Sequence, residues 1–482
     1  MRVRFVAGVI GLLLAGIGVA MLPCALIDFT DGNGTWQAFA LASLLCSLTG
    51  AVLALTCLRG KLEMGRPEAF GVTVFSWLVV GFGAALPFYW WGMSPVDAVF
   101  ESISGLTTTG ATVITGLDTT PRGILLWRAM LQWFGGIGLI VLAMAILPML
   151  RVGGMQLFRL ENSDQTGKVA GKAREIAGYI GWVYLGLTAA CMFGYMATGM
   201  SSFNALIHAF TTLSAGGFST SDSSFGQFAG TAPSLVAIVF MCCAAMPFAL
   251  FVLAVRGKPM ALLTDPQPRL FLAIVLGASA LVLAYVSALG LDVSRPGEPA
   301  VVVVIFNMVS VMTGTGYATS DCGLWGPFTY WVVLLLTVFG GCGGSAAGGM
   351  KMFRLHIATS AAFVRYARIA HPRRVIPVRY NGRVISDEDV KSITVFISLF
   401  LMTLVVGALG YMLLGYDTLT AVSASATAVS NVGPGLGPEI GPATTFQSFS
   451  DAATAWTTLL MFMGRLELLA VLVLVTPRFW RD

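Results

Sequence analysis

Thr108-Thr109-Gly110-Ala111-Thr112, Ser214-Ala215-Gly216-Gly217-Phe218, Gly314-Thr315-Gly316-Tyr317-Ala318 and Asn431-Val432-Gly433-Pro434-Gly435 are four versions of one short phrase. Taking Gly110, Gly216, Gly316 and Gly433 as their centres, the phrases lie 106, 100 and 117 residues apart. Each follows a long apolar stretch and then a shorter one of about 10–13 residues, and each precedes another long apolar stretch. Repetition on this scale takes precedence over any local assignment. A run of 10–14 apolar residues cannot cross a hydrocarbon layer of about 30 Å and suits a re-entrant segment. Phe100, Leu206 and Phe306 stand ten residues before their glycines; the fourth copy has Ser423 there and is the most diverged.

Non-helical backbone at membrane depth survives only where protein or a water-filled cavity covers it. Four copies about one axis would supply that cavity. Glycine-containing turns let successive carbonyls point inward, which few other residues allow, and rings of carbonyl oxygens can replace the water shell of a monovalent cation. Residues suited to start the short helices precede them: Ser94 before Pro95, Ser202, Glu298 before Pro299, and Asp417. Each short helix would then end near the membrane centre with its negative dipole end toward the ion. Any one cluster of small residues could merely let helices pack closely. Four of them at the same place in the same unit favour a pore.

The composition agrees. Of 482 residues, 56% are hydrophobic and 11% charged, with a mean hydropathy of +0.83, against roughly 25% charged residues in soluble chains. Apolar stretches run approximately 5–27, 36–58, 69–91, 122–150, 176–198, 232–255, 270–291, 327–366, 392–415 and 452–475. A cytosolic enzyme, a secreted disulfide scaffold and a disordered chain are excluded. With the N-terminus inside, 24 of the 28 Lys and Arg fall in inner segments, leaving Arg122, Arg128, Arg295 and Arg465. That asymmetry sets a multi-pass topology in an inner membrane with both termini cytoplasmic. The net charge of +5 is too small and too divided to indicate nucleic acid. The first apolar run, after Arg2 and Arg4, spans about 23 residues, longer than a signal-peptide core. The eight cysteines show no metal-ligand spacing or pairing pattern. Three histidines form no nucleophile–base constellation, and no catalytic reaction or resident metal is indicated.

Two further features concern the membrane interior. Gly340-Gly341-Cys342-Gly343-Gly344-Ser345-Ala346-Ala347-Gly348-Gly349 holds six glycines in ten residues, each costing roughly 1 kcal/mol relative to Ala in a helix. The preceding run 331–339 is too short to finish a crossing, so an intramembrane loop is expected here. Arg465 lies midway along the last apolar run, where a charge costs at least about 2.5 kcal/mol and is a functional candidate by default. Glu467, two residues on, does not share its helix face. The segment after the Gly-rich stretch carries nine basic residues, Arg365, Arg368, Arg373, Arg374, Arg379 and Arg383 among them, which fits contact with anionic lipid.

At Ser104–Thr112, Thr211–Thr220, Thr313–Thr319 and Asn431–Gly437 the chain resembles the TrkH branch (TrkH and TrkG proteins) of the Trk/Ktr/HKT superfamily of potassium transporters, over its whole length. The resemblance implies an all-α fold: two extra N-terminal transmembrane helices (1–66), pore repeats 67–160, 161–260, 261–383 and 384–482, each outer helix–pore helix–inner helix, around a central pore. It implies a K⁺ selectivity filter built from Thr108, Thr109, Gly110, Ala111, Ser214, Ala215, Gly216, Gly217, Gly314, Thr315, Gly316, Tyr317, Asn431, Val432, Gly433 and Pro434. In the superfamily a central glycine goes with potassium, and Ala215 and Gly314 stand where Thr is common. The resemblance assigns gating to Gly340, Gly341, Gly343, Gly344, Ser345, Gly348, Gly349 and Arg465. It also implies a homodimer, a bacterial inner membrane, and a cytoplasmic TrkA-type nucleotide-binding subunit docked on the basic segment. This chain has no nucleotide motif of its own; the transported K⁺ is the only ion implied, and no cofactor. Passive movement and proton symport both stay open, as do a sodium-coupled or sodium-permeable Ktr-like system and a secondary transporter of a small solute.

Overall fold

A single segment in hydrocarbon can satisfy its own backbone only as a helix. Apart from a two-stranded turn, Arg379–Tyr380 with Arg383–Val384, every regular element among the described residues is accordingly helical. The structure is a computed structural model and describes residues 3–58, 65–141, 169–442 and 444–476. The helices are α1 (Val3–Ala20), α2 (Leu22–Thr30), α3 (Trp36–Cys57), α4 (Arg66–Trp91), α5 (Pro95–Leu106), α6 (Arg122–Val141), α7 (Val169–Ala197), α8 (Ser202–Leu213) and α9 (Thr231–Ala245). They continue as α10 (Phe248–Val255), α11 (Pro266–Ala288), α12 (Ala300–Thr313), α13 (Pro327–Phe339), α14 (Met352–Ala370), α15 (Asp387–Leu413), α16 (Thr418–Ser430), α17 (Asp451–Arg465) and α18 (Leu469–Val475). Among the described residues seven spans are long and apolar enough to cross a membrane, α1 and α2 counting as one, or eight if α9 and α10 form one bent span. The far end of the run 122–150, the expected boundary at 160/161, basic residues such as Arg59, Lys61 and Arg151, and both chain ends (1–2 and 477–482) lie outside the described residues.

Four short helices, α5, α8, α12 and α16, each follow a longer one, as expected from the repeat. Their starts correct two of the expected caps. Ser94 Oγ accepts from Asp97 N at 3.1 Å, and Asp417 Oδ2 accepts from Leu419 N and Thr420 N at 2.9 and 3.2 Å. The second cap is Ser201 rather than Ser202; its Oγ takes Asn204 N at 3.3 Å. Glu298 caps nothing: α12 starts from Pro299, and Glu298 pairs with Arg295 at 3.0 Å.

Two apolar runs are broken where continuous spans were expected. Run 232–255 bends by 100° at Met246-Pro247. Proline lacks an N–H and drives the residue before it out of the helical region; Met246 is extended, at φ −89° and ψ 155°. Run 452–475 stops after Arg465, where Glu467 and Leu468 take φ of 60° and 29°. The run 327–366 parts at the Gly-rich stretch, as read from its composition.

The N-terminal pair packs through small residues. A Cβ on Gly50 of α3 would lie 2.5 Å from Gly11 O of α1, and one on Gly18 would lie 2.8 Å from Ser47 N. Backbones this close are the usual way helices associate without a hydrophobic drive between them. Gly50→Leu should therefore push α1 off α3 and cost about 1–3 kcal/mol, the scale of overpacking. A lowered melting midpoint in detergent is the expected reading, and an unchanged one would contradict this packing.

Candidate functional site

The loops after the four short helices share one backbone pattern: a left-handed residue, a residue at negative φ, then a left-handed glycine. The pairs are Thr108 (φ 51°) and Gly110 (79°), Ala215 (53°) and Gly217 (76°), Gly314 (75°) and Gly316 (77°), Asn431 (55°) and Gly433 (103°). The middle residue of each bonds back into its helix in the same register. Thr109 N reaches Ser104 O, Gly216 N reaches Thr211 O, Thr315 N reaches Ser310 O and Val432 N reaches Thr427 O, all at 2.9–3.0 Å. Thr109, Gly216, Thr315 and Val432 are thus equivalent, and so are Gly110, Gly217, Gly316 and Gly433. The centre of the second phrase is Gly217, one residue beyond the expected Gly216; the doubled glycine concealed the register. The position ten residues earlier then belongs to buried Ile207 instead of half-buried Leu206.

These loops close into a ring. A Cβ on Gly110 would run into Gly216 O, one on Gly217 into Thr315 O and one on Gly316 into Val432 O; one on Gly433 would lie 2.6 Å from Thr109 O. Each glycine therefore faces the carbonyl just ahead of the next loop's glycine, and the fourth loop returns to the first. Glycine is required twice, for positive φ and for room. Pro434 Cδ lies 2.8 Å from the place a Cβ on Gly316 would take, and Ser214 Cα lies 2.9 Å from that on Gly136.

Side chains tie the loops together. Asn431 Nδ2 donates to Thr109 Oγ1 and to Met461 O, both at 2.9 Å. Tyr317 OH meets Thr211 Oγ1 at 2.5 Å and Thr212 Oγ1 at 3.2 Å. Gln132 Nε2 donates to Gly216 O at 2.6 Å, while its Oε1 accepts from Phe218 N at 3.1 Å. Buried Glu101 and Arg128 pair at 2.7 Å. That pair also takes Thr112 Oγ1 and Val113 N onto the carboxylate, and the guanidinium donates to Ser219 O at 3.0 Å. The sequence reading left this pair out, although a Glu within a short apolar helix and an Arg within α6 were signals for it.

The backbone oxygens divide sharply. Ser104 Oγ donates to Ala111 O at 2.5 Å and Ser310 Oγ to Tyr317 O at 2.7 Å, so Ala111 and Tyr317 turn those carbonyls back onto their own helices. The three preceding residues of each loop give twelve carbonyls, residues 108–110, 215–217, 314–316 and 431–433. Eleven of these accept no hydrogen bond among the described residues; Gly216 O is the exception.

Directly against this ring lies the segment between α13 and α14. A Cβ on Gly348 would run into Ser430 O, and one on Gly314 would lie 3.3 Å from Gly348 N. Gly340, Gly344 and Gly349 take φ of 66°, 74° and 71°, and a Cβ on Gly341 would lie 2.5 Å from Ala347 Cβ. Cys342 N donates to Ala245 O at 2.9 Å, Ala346 N to Ala244 O at 3.1 Å and Phe248 N to Gly344 O at 3.0 Å. The loop is thus seated on the bend between α9 and α10. Gly343 N donates to Gln267 Oε1 at 2.8 Å, and Ser345 Oγ to Cys342 O at 2.6 Å.

Arg465 ends α17 beside that loop, with Nη1 3.1 Å from Ala346 O and Nη2 3.4 Å from Gly135 O. Glu467 indeed turns elsewhere, to Arg354 at 2.5 Å. Lys351 donates from Nζ to Ala347 O. Lys351 and Arg354, counted above with the basic cytoplasmic segment, are in fact buried, because α14 begins inside the protein. Three buried cations, Lys351, Arg354 and Arg465, thus share this region with the carboxylate of Glu467.

The family model for TrkH, described as a cation transport protein, matches residues 35–481. The chain is 42% identical to the Trk system potassium uptake protein TrkI of Halomonas elongata over 418 residues, 86% of this chain and 84% of that one. It is 36% identical to the Trk system potassium uptake protein TrkH of Vibrio parahaemolyticus over 100% of both chains. The crystal structure of the potassium transporter TrkH from Vibrio parahaemolyticus superposes with a TM-score of 0.90 at 35% identity, covering 100% of both chains. A helical scaffold of this shape, matched along nearly all of its length, makes the chain a member of the TrkH family of cation transport proteins.

Proposed function

We propose that this chain takes up potassium ions across a bacterial inner membrane through the ring of four loops. The observation that carries this reading is the set of eleven carbonyls without a hydrogen-bond donor, held in equivalent positions around one ring. Carbonyl oxygens in rings replace the hydration shell of a monovalent cation. The C-terminal, negative ends of α5, α8, α12 and α16 lead into the same ring and add to the attraction. The selectivity filter then consists of Thr108, Thr109 and Gly110; Ala215, Gly216 and Gly217; Gly314, Thr315 and Gly316; and Asn431, Val432 and Gly433. Ser214, Ala111, Tyr317 and Pro434 frame it.

Beneath the filter, the Gly340–Gly349 loop acts as the gate. Its glycines permit rearrangement with little side-chain cost, and its hydrogen bonds to the α9–α10 bend define the closed position. Arg465 supplies an electrostatic barrier: its guanidinium contacts only carbonyl oxygens among the described hydrogen bonds, so its charge is not cancelled locally. The division at 1–66, 67–160, 161–260, 261–383 and 384–482, the cytoplasmic termini and the homodimer belong to this reading. A TrkA-type nucleotide-binding subunit, meeting the exposed arginines of 365–383, would move the gate.

Rubidium uptake into vesicles with the regulator present, challenged by sodium, tests the proposal. Rb⁺ uptake that resists Na⁺ is the expected result; no Rb⁺ flux at all would remove the reading. Gly110→Ser should collapse that preference by about tenfold, equivalent to about 1.4 kcal/mol, because its side chain would run into Gly216 O. Arg465→Ala should raise cation flux by a similar factor, measured per inserted protein; unchanged or lower flux counts against the barrier.

A further inference from the structure

The four loops are equivalent in backbone but not in what stands behind it. At the middle position three of them carry a β-branched side chain, Thr109, Thr315 and Val432, and the second carries Gly216. The volume left by the missing side chain is not empty. A Cβ on Gly216 would run into the amide carbon of Gln132 and lie 2.5 Å from its Oε1. Gln132 projects from α6, is fully buried, and presses its amide against the second loop.

The two ends of that amide are fixed by chemistry. Nε2 donates to Gly216 O at 2.6 Å and Oε1 accepts from Phe218 N at 3.1 Å. Turning the amide over would set oxygen against Gly216 O and nitrogen against the Phe218 N–H, losing both bonds. Gln132 thus spans the left-handed Gly217 from both sides, holding the loop where a glycine pair would otherwise leave it free.

From this geometry we infer that Gln132 is a specificity-determining residue, standing in for the absent side chain of the second loop and fixing the Gly216 carbonyl. The inference rests on the filter reading above. One quadrant of the filter is then held by a neighbouring helix, and its carbonyl shares its lone pairs with an amide donor, which makes it the weakest of four ligands. A ring with one fixed oxygen cannot contract around a smaller ion on that side, so Gln132 favours the larger cation.

The test measures Rb⁺ uptake with Na⁺ competition in vesicles carrying the wild type, Gln132→Ala, Gln132→Glu, and the double variant Gln132→Ala with Gly216→Thr. Gln132→Ala should reduce the Rb⁺ preference by about tenfold, the scale of one buried hydrogen bond, while uptake persists. The double variant should recover most of that preference, since threonine restores the bulk found in the other loops. Gln132→Glu, assayed at alkaline pH so that the buried carboxyl is ionised, keeps the acceptor for Phe218 N–H, loses the donor to Gly216 O, and should also lose preference; it decides the matter if Gln132→Ala does not reach the membrane. An unchanged preference in either inserted single variant overturns the inference while leaving the filter intact. A wild type that does not prefer Rb⁺ overturns the filter reading and this inference with it.

Discussion

A backbone carbonyl that has left its helix inside an apolar protein must find a partner, and the rest of this fold is arranged around carbonyls that find none among the described residues. A buried polar group without a hydrogen bond costs about 1–3 kcal/mol. In the function proposed above, those oxygens are left for a desolvated cation, the ligand that carbonyl rings match. The short helices, their outer caps at Ser94, Ser201 and Asp417, and the left-handed glycines are the means of presenting those oxygens.

Holding four similar turns in one ring is harder than forming any one of them, and each turn is secured differently. Thr108 is β-branched at φ 51°, a strained conformation for such a residue. Asn431 adopts the same region at less cost, because asparagine tolerates it, and its amide spends both donors on Thr109 Oγ1 and Met461 O. The third loop is pinned by Tyr317 to the second helix, and the second by Gln132 and by Arg128 through Ser219 O. Strain of this kind persists only where surrounding packing over-determines it.

The two buried arginines near the loops show how charge placement separates a brace from a barrier. Arg128 has Glu101 at 2.7 Å, and its carboxylate also receives hydrogen bonds from the first loop. Such a pair is locally neutral, and breaking it would leave an unmatched buried charge at a cost of about 3–5 kcal/mol. Arg465 is equally buried, yet the nearest carboxylate in sequence, Glu467, is taken by Arg354. Its carbonyl partners orient the guanidinium without cancelling it. A cation travelling through the ring would meet that field beside the Gly-rich loop, which is why the proposed barrier falls to Arg465 and not to Arg128.

Periodicity and composition made most of the fold legible. Apolar length marked the long helices, and the recurrence of one phrase marked the short helices and the loops after them, because both depend on constraints that act along the chain. Six glycines in ten residues likewise announced the loop at 340–349. What escaped depends on partners far apart in sequence. Gly216 and Gly217 are indistinguishable as letters, and only the folded backbone, with Gly217 left-handed and Gly216 N bonded to Thr211 O, fixes which of them is central. The pairs Glu101–Arg128 and Arg354–Glu467 join residues far apart in sequence; a lone charge in an apolar segment is visible locally, but its partner is not. The bend at Pro247 was legible in principle, since a proline within an apolar run excludes an unbroken helix; hydrophobic length outweighed it in the reading, as it did for the break after Arg465. Both overlooked breaks adjoin the Gly-rich loop. A membrane protein keeps its helices whole where only lipid surrounds them, so an interruption of an otherwise adequate span is itself a pointer to where backbone is being used for something other than crossing.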